Sequence, residues 1–209
     1  MERAICVASM GMVLAFACGC QTTVPIRLGN LPEPTSQVRG KIAMLSKAAD
    51  ARKTPSDKIG RHTISLLMIP GPGVYSQGEH VEDVVAGHCR TGLEKVGYSV
   101  ETVNSVDATN APVLVPQINL IRNYSFTWLW PLGLTFGKMR LSLVLYGTNN
   151  QVVWKKDLSG KSGFMASLVY ISGFGTAVKT EMTGSVKEVM KVCASPEFLA
   201  AVEQASEGK

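Results

Sequence analysis

Two histidines and three carboxylates occur close together in the first half of the chain. His80 and His88 are eight residues apart, and Glu79, Glu82 and Asp83 lie beside or between them. Eight residues span about 12 Å along a helix axis, which is too far for two ligands of one zinc ion without other elements. The pattern therefore favours a solvated helix face, and we expect no bound metal.

A proline- and glycine-rich stretch, residues 70–78, precedes these histidines and joins a predicted strand to a predicted helix. A phosphate-binding loop occupies the same position, but it ends in Gly-Lys-Ser or Gly-Lys-Thr, which this stretch lacks. Pro70 and Pro72 also lack the amide hydrogens that would bind a phosphate. We therefore expect no cofactor at this position.

Cys20 stands at the end of an apolar N-terminal segment. The segment starts with a short stretch that contains Arg3 and continues as an apolar run from Ala4 to Ala17. This run is shorter than the about 20 residues that a transmembrane helix needs, and its length is typical of a secretory signal. Its end, Ala17-Cys18-Gly19-Cys20, resembles the lipobox of bacterial prolipoproteins, in which a small residue precedes the cysteine that receives the lipid.

This resemblance implies that residues 1–19 are a lipoprotein signal peptide and that Cys20 is the lipid attachment site, with palmitate in the anchor. It also implies an outer-membrane location facing the periplasm, because Gln21 replaces the Asp that retains such proteins in the inner membrane. Cys18 gives a rival frame, in which Phe16 suits the middle position poorly. An uncleaved N-terminal anchor or an ordinary secretory signal would also be compatible with the apolar run.

The net charge of this 209-residue chain is +5, and the excess is concentrated in one segment. Eight cations and three anions lie between Cys20 and His62, which accounts for the whole excess. We interpret residues 20–61 as a basic tether lying near anionic lipid headgroups, with a solvated linker as the alternative. Nucleic acid is not expected as a partner, because the predicted compartment is extracytoplasmic.

Two cysteines remain after the signal peptide and the lipidated residue are set aside. Cys89 and Cys193 both fall on apolar stripes of predicted helices. In an oxidising compartment such a pair can form a disulfide bond, which would close a loop of about a hundred residues. Two buried free thiols are the alternative, because free cysteine is a common core residue.

Hydrophobic periodicity predicts a single α/β domain of the α+β type over residues 62–209. A short amphipathic helix is predicted within the tether, over residues 36–52. Two alternating segments, Lys138–Tyr146 and Gln151–Ser159, predict a hairpin. The predicted sheet is mixed and mostly antiparallel, with four to five strands and two long helices packed on one face. The other strands are predicted at 63–69, 98–103 and 112–121, the long helices at 79–96 and 178–193, and a short final helix after Ser195.

The order of elements resembles a known family. A strand–helix–strand unit ending in Gly97-Tyr98-Ser99-Val100, a hairpin carrying Val152-Val153-Trp154 and a long C-terminal helix follow the lipobox. Over about residues 62–194 this combination resembles the small periplasmic lipoproteins of the YajG type, whose fold is similar to the N-terminal domain of TolB. The resemblance implies an envelope accessory protein without catalysis. The chain departs from that pattern in two unusually apolar connections.

These apolar connections are residues 124–136 and 164–171. A surface loop should be polar because its backbone is solvated, so exposed apolar connections would mark a contact with a partner or a membrane. The alternative is that they extend strands into the core. Both flank the predicted hairpin, and antiparallel pairing should bring them to the same end of the sheet.

The sequence therefore predicts a non-enzymatic, lipid-anchored envelope lipoprotein that binds an envelope protein or lipid as an accessory or assembly component. The alternative is a metal-dependent or phosphate-binding enzyme of the periplasm that uses the 70–88 region. The residues expected at the binding surface are Phe126, Trp128, Trp130, Leu132, Phe136, Phe164, Leu168 and Tyr170.

Overall fold

The computed structural model describes residues 22–54, 57–64, 69–129, 132–163, 165–167 and 170–207. Within these residues it contains one mixed sheet and three α-helices. The strands are β1 (Thr22–Val24), β2 (Gly40–Leu45), β3 (Ala49–Asp50), β4 (Lys58–Ile64), β5 (Ile69–Ser76), β6 (Tyr98–Val103), β7 (Val113–Leu129), β8 (Leu132–Tyr146), β9 (Val152–Lys161) and β10 (Met165–Ser167). The helices are α1 (Val81–Val96), α2 (Tyr170–Cys193) and α3 (Pro196–Ser206).

Strand β7 organises the sheet. On one side it pairs antiparallel with β8, which in turn pairs antiparallel with β9 and β10. On its other side it pairs in parallel with β2, β3 and β4, one after another along its length. Strand β4 continues to β5 and β1, and β2 continues to β6. The described sheet thus has ten strands, and the prediction of four to five strands was wrong.

Strands β1, β2 and β3 and the first part of β4 come from the segment that the sequence assigned to a tether. The predicted helix over residues 36–52 is wrong, because Gly40–Leu45 form β2, between β6 and β7. Ile42, Ala43 and Met44 are all buried, with Ala43 facing away from the main core. A strand buried on both faces loses the alternation of apolar and polar residues that identifies a strand. The described part of the predicted tether, residues 22–54 and 57–61, therefore contributes strands to the same sheet as the rest of the chain.

Helices α1, α2 and α3 confirm the three predicted helices. Gly97 ends α1 with a φ of 111°, a left-handed conformation that glycine adopts without strain, and its N–H donates to the carbonyls of Leu93 and Glu94. The hydroxyl of Ser195 accepts the N–H of Phe198 at the start of α3. Apolar residues of all three helices meet one face of β7 and β8 in a single core. Among the described residues, no helix is both long enough and apolar enough to cross a membrane.

Candidate functional site

The distal part of the β7–β8 hairpin has an unusual distribution of side chains. We call residues 121–129 of β7 and 132–140 of β8 the hairpin end. Directly paired residues of antiparallel strands lie on the same face of a sheet. The register pairs Asn123 with Gly137 and Ser125 with Thr135 on the face that carries the helices, whereas aromatic residues lie on the other face.

Polar residues fill the inner face of the hairpin end. Asn123 and Ser125 on β7 and Thr135 on β8 are at most 1% exposed, and His62 lies beside Ser125 on the neighbouring strand β4. Asn123 donates from Nδ2 to the carbonyl of Ile59 over 3.1 Å. The hydroxyls of Ser125 and Thr135 have no hydrogen-bond partner among the described residues. Burial without a partner is unfavourable for a hydroxyl, so this region departs from ordinary core construction.

Glu181 of helix α2 is buried against this polar layer. It is 1% exposed, and burial raises the pKa of its carboxyl to about 8, although hydrogen bonds to Ser162 and Asn123 act in the opposite direction. Gly137 lies directly below, and any Cβ there would overlap Glu181 Oε1 and Asn123 Oδ1. Neither oxygen accepts a hydrogen from another described group. Burial thus favours the neutral carboxyl of Glu181, which can donate a hydrogen bond, whereas an ionised carboxylate can only accept.

Aromatic and apolar residues occupy the outer face of the hairpin end. Tyr124 pairs with Phe136, and their ring centroids are 5.7 Å apart. Phe126 pairs with Leu134 on the same face. Phe136 is 36% exposed, which makes it one of the two large hydrophobic residues that stand out as exposed in the described structure. A sheet with one covered face normally has apolar residues on the covered face and polar residues on the face in water. At the hairpin end this arrangement is inverted.

A row of cations crosses the same outer face beside the aromatic residues. The register aligns Arg122 of β7 with Lys138 of β8 and Lys138 with Lys161 of β9. Arg140 lies two residues from Lys138 on the same face, and Arg61 of β4 lies beside Tyr124. We call these five cations the basic row. Desolvation, followed by the charges of Arg140 and Lys161, lowers the pKa of Lys138. None of the five forms an ion pair within the described residues.

The structure confirms that the two apolar connections lie at the same end of the sheet, but it does not make them loops. Residues 124–129 and 132–136 extend β7 and β8, and β10 pairs with β8 at Gly133–Thr135. Of the predicted surface residues, Phe126 is half-buried and Phe136 is exposed. The structure does not describe the side chains of Trp128, Leu132 and Tyr170. Cys20, Trp130, Phe164 and Leu168 lie outside the described residues.

The histidine region is not assembled into a site. His80 precedes α1 and is exposed, whereas His88 is half-buried with its Nε2 3.5 Å from the carbonyl oxygen of Ile26. Burial lowers the pKa of His88. Residues 69–76 form strand β5, so the predicted loop at 70–78 is mostly regular strand. Among the described residues, no group of three or more histidine, cysteine or acidic side chains is placed to hold a metal.

Cys89 and Cys193 are buried free thiols in the structure, and a bridge between them stays a prediction. Burial raises the pKa of the Cys89 thiol to about 12 and raises the pKa of Cys193 as well. Thiolate is the reactive form of cysteine, so both thiols should be inert towards oxidants and alkylating agents in the folded state.

Sequence reasoning missed Glu181, Asn123 and most of the basic row. The available indication for Glu181 was its place within the apolar stripe of α2, three residues after Val178 and next to Met182. The basic row had no such indication, because its members come from four strands and are aligned only by the register.

The fold and the site together define an α+β domain with three helices on one face of a mixed sheet and an aromatic, basic surface at one end of the other face. No protein-family model matches this chain, and no curated protein matches it. Among solved structures, it is similar to protein XCC0632 from Xanthomonas campestris, of the DUF330 family, with a TM-score of 0.59 and 12% identity. That match covers 89% of this chain and 99% of the other.

A second solved structure with a similar fold is a neuraminyllactose-binding hemagglutinin homologue from Helicobacter pylori. Its TM-score is 0.50 at 8% identity, over 88% of this chain and 100% of the other. At such low identities the two likenesses show a shared fold.

Proposed function

We propose that this chain is a lipid-anchored lipoprotein of the outer membrane that faces the periplasm and acts as a non-enzymatic binding or accessory component. In this proposal the lipid is attached to Cys20, and the outer face of the hairpin end is the binding surface. The YajG-type resemblance agrees with such a role. The proposal depends most on one observation, which is the inverted polarity of the hairpin end.

The inversion is unfavourable for an isolated domain. Burying Asn123, Ser125 and Thr135 removes polar groups from water, while Phe136 on the opposite face remains partly in water. If water covered the outer face at all times, a chain with these apolar residues on the inner face and these polar residues on the outer face would be more stable. Local departures from core-building rules concentrate at functional sites. This supports a role for the outer face in binding another surface.

The alternative enzyme of the 70–88 region has no specific observation in its favour. Its predicted loop is largely strand β5, and His80 and His88 are not brought together with other ligands within the described residues. The hairpin end is therefore the better candidate for the functional surface.

The experiment compares two exposed apolar positions at opposite ends of the sheet. Phe136→Ser alters the hairpin end, and Val152→Ser alters β9 at the other end, where Val152 is 54% exposed. Crosslinking in intact envelopes followed by fractionation measures association with membrane or protein partners. We expect Phe136→Ser to weaken association and Val152→Ser to leave it unchanged. Equal association of both variants with wild type would show that the hairpin end is not the binding surface.

The anchor is tested separately with Cys20→Ala and palmitate labelling. Multiple acyl chains make membrane attachment effectively permanent, since each buried methylene contributes about 0.8 kcal/mol. We expect the variant to lose the label and to leave the outer-membrane fraction. A variant that loses the label and still fractionates with the outer membrane would show that Cys20 is not the anchor.

A further inference from the structure

The basic row and the aromatic residues of the hairpin end form one continuous outer surface. Arg122, Lys138 and Lys161 lie side by side across β7, β8 and β9. Tyr124 and Phe136 form the next aligned pair towards the turn. Phe136 is exposed and Tyr124 is half-buried. Cations beside such rings match the boundary between lipid headgroups and acyl chains, where Trp and Tyr are favoured and Lys and Arg reach anionic headgroups.

A small pocket opens at the edge of this surface. It lies where β7 passes from its pairing with β3, at Ile118, to its pairing with β4, at Asn123. Its volume is about 160 Å³, several times that of one water molecule. Lys58, Arg61 and Arg122 are among its lining residues, together with Tyr124. Three cations around one concave site provide the charge that a phosphate group requires.

The direction of β1 relates the start of the described chain to the hairpin end. Strand β5 begins at the hairpin end, where Ile69 pairs with Ile64 and Ile64 with Thr127. Strand β1 runs parallel to β5, with Thr22 beside Val74, five residues from Ile69 or about 17 Å. The chain therefore enters β1 from the hairpin end. Cys20 precedes Thr22 by only two residues.

We propose that the outer face of the hairpin end lies on an anionic phospholipid membrane, with the basic row and the Lys58–Arg61–Arg122 pocket on lipid phosphates and the aromatic residues at the headgroup boundary. This inference rests on the proposed function, because it identifies the partner of the same surface. The direction of β1 favours a membrane over a protein partner, since a lipid on Cys20 would hold this end against the bilayer. The lipid on Cys20 and the outer face of the hairpin end then both hold the protein against the membrane. Because the helices cover the opposite face of the sheet, they face away from the membrane.

The first experiment measures binding of the full chain to vesicles of phosphatidylcholine with and without phosphatidylglycerol. The test variant replaces Arg122, Lys138 and Lys161 with Gln. The control variant replaces Lys179, Lys187 and Lys191 with Gln, which removes the same charge from exposed positions of α2. For each variant we compare the affinity for anionic vesicles with the affinity for neutral vesicles, as a ratio. Residues 1–21 are the same in every variant, so their contribution cancels when these ratios are compared between variants.

We expect the test variant to reduce that ratio roughly a hundred-fold, because each basic residue near an anionic surface contributes about 1 kcal/mol. The control variant should change it less than about three-fold. Equal losses in both variants would show that net charge alone attracts the protein, and an unchanged ratio in the test variant would show that the basic row does not contact lipid. Either result overturns the proposal.

The second experiment locates the contact with brominated phosphatidylglycerol, which quenches tryptophan fluorescence at short range. Trp154 lies in β9 under Phe198, with ring centroids 5.0 Å apart, on the helix side of the sheet. Trp154→Phe leaves Trp128 and Trp130 as reporters of the hairpin end. Trp128→Phe with Trp130→Phe leaves only Trp154. We expect quenching in the first variant and none in the second; equal quenching in both, or none in the first, would overturn the proposal.

These outcomes separate the inference from the proposed function. If Phe136→Ser loses envelope association while the vesicle ratio and the quenching are unaffected, the hairpin end binds a protein and the lipid contact is wrong. If the basic row binds anionic vesicles but Cys20 is not acylated, the lipid contact stands and the anchor is wrong.

Discussion

The two halves of the β7–β8 hairpin differ in the side chains that they place towards the helices. The proximal half, residues 113–120 and 141–146, is apolar on both faces, with Val115 and Val144 in a second buried cluster on the outer face. In this half, Leu114, Leu141 and Leu143 lie under the helices and are completely buried. In the hairpin end, the corresponding inner positions are Asn123 and Thr135. The strands β7 and β8 and the covering helix α2 continue through both halves, but the register shifts by one residue of β7 between Ile118 and Leu120. This irregularity changes which residues of β7 face the helices, so the difference has a backbone origin as well as a side-chain origin.

This comparison separates stability from function within one hairpin. The proximal half buries leucines, which contribute most of the free energy of folding that a sheet and its helices can supply. The hairpin end buries polar groups and shows aromatic and basic groups to the outside, so it contributes less to stability. Its residues are better suited to contact another surface. Substitutions in the proximal half should therefore mainly change the free energy of unfolding, whereas substitutions on the outer face of the hairpin end should mainly change binding.

The largest effect is expected from a large-to-small substitution in the proximal half. Leu141 is fully buried between Ile118 and Leu158. Leu141→Ala should lower the free energy of unfolding by about 4 kcal/mol, because it removes buried methyl groups and leaves a cavity. Phe136→Ala on the same strand is the control and should cost clearly less. Urea unfolding measures both; similar losses would show that the hairpin end is ordinary core and would remove the basis of the comparison.

The next effect concerns Glu181, which covers the polar inner face of the hairpin end. Its pKa is about 8 in the folded chain, against 4.5 for the unperturbed group. The folded state therefore holds more protons than the unfolded state between these values, and the free energy of unfolding falls as the pH rises through this window. Glu181→Gln removes the buried charge. It should be more stable than wild type above pH 8, because ionising the buried carboxyl of wild type costs about 1.4 kcal/mol for each unit by which burial raises its pKa.

Unfolding curves at several pH values test this prediction. The pH-dependent difference between Glu181→Gln and wild type should vanish well below pH 4.5, where both states of wild type hold the proton. Glu188→Gln, on the same helix and half-buried, is the matched control for the loss of one carboxyl group from α2. A difference that is constant with pH would mean that Glu181 is ionised at low pH in the folded chain, and the account of the polar layer would be wrong.

Sequence patterns identified the regions in which a single periodicity dominates. Helix α1 has one apolar stripe, with Val85, Cys89 and Leu93 buried, and Gly97 as its end, so its position could be predicted closely. The β8–β9 hairpin alternates for the same reason, because one of its faces meets the helices. Local sequence is sufficient for elements whose environment differs between two faces.

Elements with similar environments on both faces could not be predicted in this way. Strand β2 is buried on both sides, and its consecutive apolar residues matched a helix equally well. Proline is usual only in edge strands or at bulges, and Pro116 nevertheless lies in the central strand β7. The register explains why: on the parallel side, β7 pairs with β2 at Leu114 and next with β3 at Gln117, so Pro116 falls between the two partners. The candidate site depends on such long-range register, which no local pattern contains.

A smaller effect is expected from replacing an inner polar residue of the hairpin end with an apolar one. Thr135 is fully buried, and its hydroxyl has no partner among the described residues. Thr135→Val keeps the shape and the preference for strand, and it removes the cost of the unpaired hydroxyl. We expect a gain of about 1 kcal/mol in the free energy of unfolding. Thr63→Val, at a half-buried position of β4, is the control and should change little. A clear loss in Thr135→Val would mean that its hydroxyl is hydrogen-bonded in the folded protein.

The smallest effect is expected for the basic row. Arg140 is exposed and lies on the same face as Lys138, with no ion pair among the described residues. Like charges at such distances repel weakly in water, so Arg140→Gln should change the free energy of unfolding by no more than about 0.5 kcal/mol, towards greater stability. High salt should abolish the gain, since the Debye length falls to about 3 Å at 1 M. Lys187→Gln on α2 is the control and should show no gain. A large loss of stability in Arg140→Gln would make the basic row part of the structural framework, whereas the expected small gain means that these charges are retained at a cost to the fold, as a binding surface requires.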